Sequence, residues 1–227
     1  MPEGTLTLHT SMTPLTASEP VHAAHPANQQ LTVQTVVGES IGRYAADIAR
    51  LHLVVFRDWP HLYEQGVEGD SRHLRACTDS WRSVAVLVFD AGTLVGASTG
   101  LPLADAADAI RQPFADAGVD IQRVFHCGGS ALLPAYRGRG LGHRFFDERE
   151  SHARMLGDFD RMAFCAIDRA PDHPRRPPFG RDNQAFWQRR GYRPHADLKI
   201  VLDWSEPGEG VVPHTLTAWF RPLERAR

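Results

Sequence analysis

Pro134-Ala135-Tyr136-Arg137-Gly138-Arg139-Gly140-Leu141-Gly142-His143 is the stretch on which the reading of the whole chain turns. A strand over residues 122–133 precedes it and a helical repeat over 140–156 follows it, so it forms a turn between a strand and a helix. Glycines at this spacing let the backbone turn sharply and aim several N–H groups at one point. A helix beginning directly afterwards adds the equivalent of about half a positive charge. Arg137, Arg139 and His143 supply further donors around the same point. Such a nest suits a di-anion, for example a pyrophosphate.

Other phosphate loops fit poorly. A nucleotide-triphosphatase loop needs Lys followed by Ser or Thr after its last glycine, and His143-Arg144 stands there instead. A dinucleotide fold places its glycines after the first strand. Here the turn lies past the middle of 227 residues and after a hairpin. That hairpin consists of a nearly continuous apolar run at 83–89, turn chemistry at Asp90-Ala91-Gly92-Thr93, and a return strand at 94–101.

Outward from this centre, residues 31–37 read as a first strand. Ile41, Tyr44, Ile48, Leu51 and Val55 recur at helical spacing over 40–57, which Pro60 closes. A shorter helix is expected at 71–77, and another at 104–117 interrupted at Pro113. The strand over 122–133 is weakened at Gly128 and Gly129, where a bulge or splay is expected. Gly157 suits the stop of the helix after the turn. Next come a buried strand at 161–167, a loop at 168–181 stiffened by Pro171, Pro174, Pro177 and Pro178, and a helix at 182–190 ending at Gly191. Strands at 197–204 and 215–221 finish the chain. Residues 1–30, rich in Thr, Ser, Pro, His and Ala without periodicity, read as a flexible arm, leaving 31–227 as a single domain.

A hydrophobic fraction of 42% supports a core of normal size, and a net charge of -2 gives no general attraction to nucleic acid or to an anionic membrane. No apolar run nears the roughly 18 residues of a membrane span. The N-terminus lacks a secretory pattern, and Cys77, Cys127 and Cys165 read as reduced thiols without metal-type spacing. A cytoplasmic protein without a metal is expected.

The order of elements, the Arg137-x-x-Gly140-x-Gly142 signature and the segment Phe186-Trp187-Gln188-Arg189-Arg190-Gly191-Tyr192 resemble the GNAT superfamily of N-acetyltransferases. The resemblance spans roughly residues 31–223 and is strongest over 122–192. It implies an α+β fold in α/β/α layers: a mixed, mostly antiparallel sheet of about seven strands flanked by helices, splayed between strands four and five. It further implies acetyl-CoA in that opening, with pantetheine along the backbone of Leu132 and Leu133. The pyrophosphate would lie on Arg137, Gly138, Arg139, Gly140, Leu141 and Gly142, with His143 beside them.

By the same resemblance His126, eleven positions before Arg137, stands where family members carry a Glu or His associated with deprotonating the amine. A hydrogen-bonded structural histidine is the other reading. An amine of pKa near 10 is neutral in only about one molecule per thousand at pH 7, a handicap of about 4 kcal/mol. General acid–base help is typically worth about 10²–10⁴-fold. The family's Tyr acid is replaced by Trp187, whose indole N–H is no comparable donor, and its frequent Asn by Gly180. Tyr192 and Cys165 are weak substitutes for the acid, and Trp187 is expected to pack against CoA or the core.

The acceptor is expected between residues 57–63 and 168–176, where Asp58, Asp168 and Asp172 suit an ammonium and Arg57 or Arg175 a carboxylate. The leading expectation is acetyl transfer from acetyl-CoA to the amine of a small polar molecule by direct attack in a ternary complex. Cys127 and Cys165 are expected close enough to raise the question of a covalent intermediate. A non-catalytic CoA-binding sensor and an enzyme acting on protein amines are the alternatives, and a homodimer is left open.

Overall fold

The computed structural model describes residues 31–64, 67–178 and 183–224, with backbone alone for 67–71. The expectations for residues 1–30, Gly180 and Asp182 lie outside the described residues. Seven strands form one sheet: β1 (Thr32–Val37), β2 (Val84–Asp90), β3 (Thr93–Pro102), β4 (Val124–Leu132), β5 (Arg161–Ile167), β6 (Arg193–Glu206) and β7 (Gly210–Pro222). The helices are α1 (Ala45–Phe56), α2 (Val67–Asp79), α3 (Asp108–Asp116), α4 (Leu141–Leu156) and α5 (Gln184–Arg189). The spatial order is β1-β2-β3-β4-β5-β7-β6. β4 and β5 pair in parallel, and every other neighbouring pair is antiparallel.

Apolar residues on both faces of β2 make it the centre of three layers. Val84 to Val88 are all fully buried, and their side chains alternate between the faces. Ala85 and Leu87 join Ile48 and Leu51 of α1, Leu74 of α2 and Phe114 of α3. Val86 and Val88 join Leu141 and Phe145 of α4 on the other side. Two glycines of β3 let α4 approach closely. A methyl group at Gly96 would come within 3.2 Å of the Phe145 ring, and one at Gly100 within 3.4 Å of Arg149 Cδ.

Most element bounds shift by a few residues, and two differences from the sequence expectation have a clear physical cause. α3 runs through Pro113 without interruption. Proline removes only the donor to the Ala109 carbonyl, while Phe114 beside it is fully buried and meets the Phe220 ring edge-on at 5.7 Å. β6 starts earlier than expected because it carries a wide bulge: His195 pairs with Ala218, but the next partner, Thr217, faces Lys199. Residues 196–198 are left over and break the apolar–polar alternation.

Glu150 of α4 ties the helix to β7 and to the segment after α5. It is 3% exposed and accepts from Arg221 Nη1 at 2.7 Å on both oxygens. Arg190 Nη2 reaches it at 3.2 Å and Arg154 Nη2 at 3.5 Å. Removing one partner of a buried ion cluster leaves cations uncompensated. Glu150→Ala is therefore expected to lower the free energy of unfolding in urea by about 3 kcal/mol. A loss below about 1 kcal/mol would mean that solvent already compensates the arginines.

Candidate functional site at the β4–β5 opening

β4 and β5 stay together only for Val124↔Arg161, Phe125↔Met162 and His126↔Ala163. Beyond that point β4 continues to Leu132 and β5 to Ile167 without pairing, as the splay expectation requires. On its other edge β4 faces β3 with Ser98↔Ser130 and then Gly100↔Cys127, so Gly128 and Gly129 together stand opposite Thr99. This is the bulge anticipated from the two glycines. Their lack of side chains is required: a Cβ at Gly128 would lie 2.5 Å from Thr99 Oγ1 and 2.6 Å from the His73 ring, and one at Gly129 3.1 Å from the His52 ring.

Strand alternation decides which backbone groups face the opening. Leu133 N–H donates to the Val95 carbonyl at 3.0 Å, so Leu133 is engaged within the sheet. The N–H groups turned to the opening are those of Leu132 and Ser130. The Leu132 carbonyl accepts from Arg137 Nε at 3.1 Å, which fixes the start of the turn.

The turn itself continues from the end of β4. Tyr136 and Arg137 N–H donate to the Leu133 and Pro134 carbonyls, and the Gly140 carbonyl accepts from His143 and Arg144 N–H. Between these bonds, Gly138 and Gly140 adopt φ of +78° and +80°, the left-handed region that favours glycine. α4 begins at Leu141 with no side-chain cap; the Gly140 carbonyl takes His143 and Arg144 N–H, which leaves the Leu141 and Gly142 amides without an acceptor among the described residues. The Tyr136 hydroxyl donates to Asp90 Oδ2 at 2.6 Å, tying the turn to the end of β2. Arg139 lies 5.4 Å over the Tyr136 ring. Leu141 is buried in the α4 core, while His143 Nδ1 stands 3.2 Å from Arg190 Nη1 with its ring edge-on to Phe186.

His126 lies at the narrow end of the opening, on the side of α1 and α2. It is 5% exposed, its Nε2 is 4.0 Å from Cys165 Sγ, and its Nδ1 has no hydrogen-bond partner among the described residues. Burial, reinforced by electrostatic interaction with His73 and Arg149, pushes its pKa down to about 3. The imidazole is neutral at physiological pH, with a lone pair to accept a hydrogen bond but little capacity to hold a proton. Burial pushes the Cys165 thiol up to about 12. Cys127 lies in the opposite cluster with Phe146 and Tyr192, so the two thiols occupy opposite faces and not one site. Tyr192 is fully buried under α4 with its hydroxyl 3.5 Å from Glu150, and burial raises its pKa; it is not open to the cleft. Trp187 is half-buried and packs on Phe164 and Trp219, at centroid distances of 4.9 and 5.3 Å, against the core.

Compared by sequence, the chain matches no family model and no curated protein. Compared by structure, it is similar to an acetyltransferase of the GNAT family from Streptococcus pneumoniae, with a TM-score of 0.51 and 13% identity over 86% of this chain and 100% of that one. The yncA protein of Salmonella typhimurium, solved with its cofactor acetyl-CoA, gives 0.50 and 11% over 87% and 96%. An aminoglycoside 6'-acetyltransferase type Ii gives 0.50 and 12% over 86% and 99%. The fold is the GNAT acetyltransferase fold.

Within this GNAT fold the two segments expected to meet the acceptor do come together, through a residue that sequence reasoning missed. Arg169 donates from Nε to the Pro60 carbonyl at 2.7 Å and from Nη2 to the His61 carbonyl at 2.8 Å, and it pairs with buried Glu206 at 2.5 Å. Trp59 and His173 meet at a centroid distance of 5.0 Å across the same junction. Two lone signals, an Arg in a Pro-rich loop and a Glu ending a strand, gave no hint of this pairing. Asp168 is engaged by Lys199 Nζ at 2.8 Å and by the Thr217 hydroxyl at 2.7 Å. Arg57, Asp58 and Asp172 are exposed at the rim. Among the described residues no group of three or more His, Cys, Asp or Glu is placed to hold a metal, and no helix is long and apolar enough to cross a membrane.

The depressed pKa of His126 carries a linked stability. The unfolded chain binds a proton near pH 6.5 that the folded chain refuses until about pH 3, so stability is complete above pH 6.5 and falls as pH drops toward 3. One such group contributes a slope of up to about 1.4 kcal/mol per pH unit in that window. His126→Asn is expected to remove that slope from urea-unfolding curves taken between pH 3.5 and 6.5. Parallel wild-type and variant curves would show that His126 ionises normally.

Proposed function

We propose that the chain transfers the acetyl group of acetyl-CoA to the amine of a small polar molecule by direct attack in a ternary complex. The observation that carries this reading is the order of groups along one strand. His126 stands at the last position paired with β5, Ser130 and Leu132 lie in the stretch beyond it that β5 does not pair, and the left-handed glycines and uncapped N-terminus of α4 follow the strand. The turn, with Arg137, Gly138, Arg139, Gly140, Leu141, Gly142 and His143, would hold the pyrophosphate, and β4 would hold pantetheine. Acetyl-CoA, when bound, supplies an activated acyl carbon on a thiol leaving group.

The residues of this chain then have limited tasks. A base of pKa about 3 cannot strip an alkylammonium of pKa near 10, since the transfer would be uphill by about 10 kcal/mol. The amine must therefore arrive neutral, and His126 accepts a hydrogen bond from its N–H and orients the nitrogen lone pair. β4 amides facing the opening polarise the thioester carbonyl. With Trp187 packed against the core and Tyr192 closed off, the thiolate leaves toward solvent, and the proton lost by the attacking nitrogen as the amide forms passes to water or to that thiolate.

Among the described residues Trp187 and Tyr192 offer no acid to the opening, which also favours a second reading, a CoA-binding sensor without turnover. Thiol release from acetyl-CoA in the presence of a panel of amines separates the two, because a sensor releases none. Gly142 offers a clean test of the turn: it has ordinary φ and its nearest neighbour to an added Cβ is Phe186 at 3.7 Å. Gly142→Glu should fold normally yet weaken CoA binding in calorimetry by at least about 100-fold, through a carboxylate facing a di-anion at close range. Binding and transfer left at wild-type levels would refute the pyrophosphate site.

A further inference from the structure

We propose that Arg149 is a positioning residue for acetyl transfer, holding the β4 bulge from behind the sheet so that Ser130 presents its N–H to the β4–β5 opening. This rests on the acetyl-transfer reading for its functional consequence and on the observed contacts for its geometry. Arg149 is 1% exposed and heads the fully buried side chains by volume. Among the described residues no carboxylate lies within 4.0 Å of it, and the adjacent Glu150 is occupied by Arg154, Arg190 and Arg221. Burying a cation without a counter-ion costs several kcal/mol, and a hydrocarbon chain of the same length would fill the space with no such penalty.

What the guanidinium reaches explains its presence. The bulge leaves Thr99 without a register partner on β4, and Arg149 Nη1 donates to the Thr99 carbonyl at 3.2 Å. The same Nη1 donates to Ser130 Oγ at 3.2 Å, and Ser130 Oγ stands 2.9 Å from Ser98 Oγ. Nε donates to the Phe145 carbonyl one turn earlier on α4 at 3.1 Å, and the guanidinium carbon sits 4.8 Å over the Phe146 ring. One rigid fork therefore joins β3, β4 and α4 at the irregular point of the sheet. A lysine offers a single point of charge and cannot serve all three acceptors in that geometry. Ser130 is the link to function, since its hydroxyl faces Arg149 while its N–H faces the opening.

The experiment compares Arg149→Met, Arg149→Lys and Ser130→Ala with wild type by acetyl-CoA calorimetry, by kcat and KM, and by nitrogen-15 NMR of the Gly128, Gly129 and Ser130 amides. Arg149→Met is expected to bind acetyl-CoA within about threefold of wild type, because the pyrophosphate turn lies elsewhere. Its kcat is expected to fall by about 30- to 100-fold, as for a reacting group displaced by about 1 Å, and the three amide resonances to broaden or split. Arg149→Lys should recover part of kcat, and Ser130→Ala should lose roughly tenfold. If the methionine variant does not fold, the other two variants decide. Sharp, unmoved amides and kcat within twofold of wild type would overturn the proposal, as would kcat and CoA affinity falling together. Wild type that binds no CoA would instead sink the acetyl-transfer reading, with the amide spectra still testing the prop.

Discussion

The parting of β4 from β5 after His126 and Ala163 is the constraint on which the site depends. A sheet that stays closed satisfies its own backbone; this one leaves a row of β4 polar groups facing a gap. Ser130 is exposed and Leu132 half-buried, so these groups are open to a partner. A ligand with its own amides, entering as a strand would, could pair with them without any special side chain. The bulge at Gly128 and Gly129 bends β4 away from its neighbour, and the turn after Leu133 places the start of α4 at the mouth of the gap. The proposed anion site and strand-like track would thus be two results of one distortion.

The two faces of the opening differ in electrostatics. The α4 side holds fixed charges: Arg149 behind the bulge, then Glu150 among three arginines, then the amides and arginines of the turn. The α1 and α2 side holds imidazoles. His126 and His61 are both driven neutral by burial, to about 3 and about 4. A doubly charged group is therefore expected to enter from the α4 side, and an uncharged nucleophile suits the other. Arg169 closes that second side by fastening the 168–178 loop to the segment after α1.

What could be read from the sequence was local. The glycine turn, the strand at Arg161–Ile167 and the weak point at Gly128 and Gly129 each depend on backbone freedom or on a short apolar run, and each stands where expected. β6 was only partly legible, because the residues bulged out between His195 and Lys199 erase the period-two pattern. The polar networks left no trace in the sequence. Arg149 finds Thr99 across 50 positions, Glu150 finds Arg221 across 71, and Arg169 finds His61 across 108. A charged residue in an amphipathic helix ordinarily reads as solvated, so nothing local marks Arg149 as the bulkiest fully buried side chain among the described residues. The low pKa of His126 was likewise hidden, since it follows from burial and from groups contributed by other elements.

The central claim, that the amides at the start of α4 and along the end of β4 form one ligand track, is tested most directly by titrating nitrogen-15-labelled protein with acetyl-CoA. The account predicts that Gly138 to Gly142, Ser130 and Leu132 shift together along a single binding curve, while β6 and β7 resonances stay in place. Shifts confined to the arginine side chains, or clustered away from the β4–β5 opening, would contradict it.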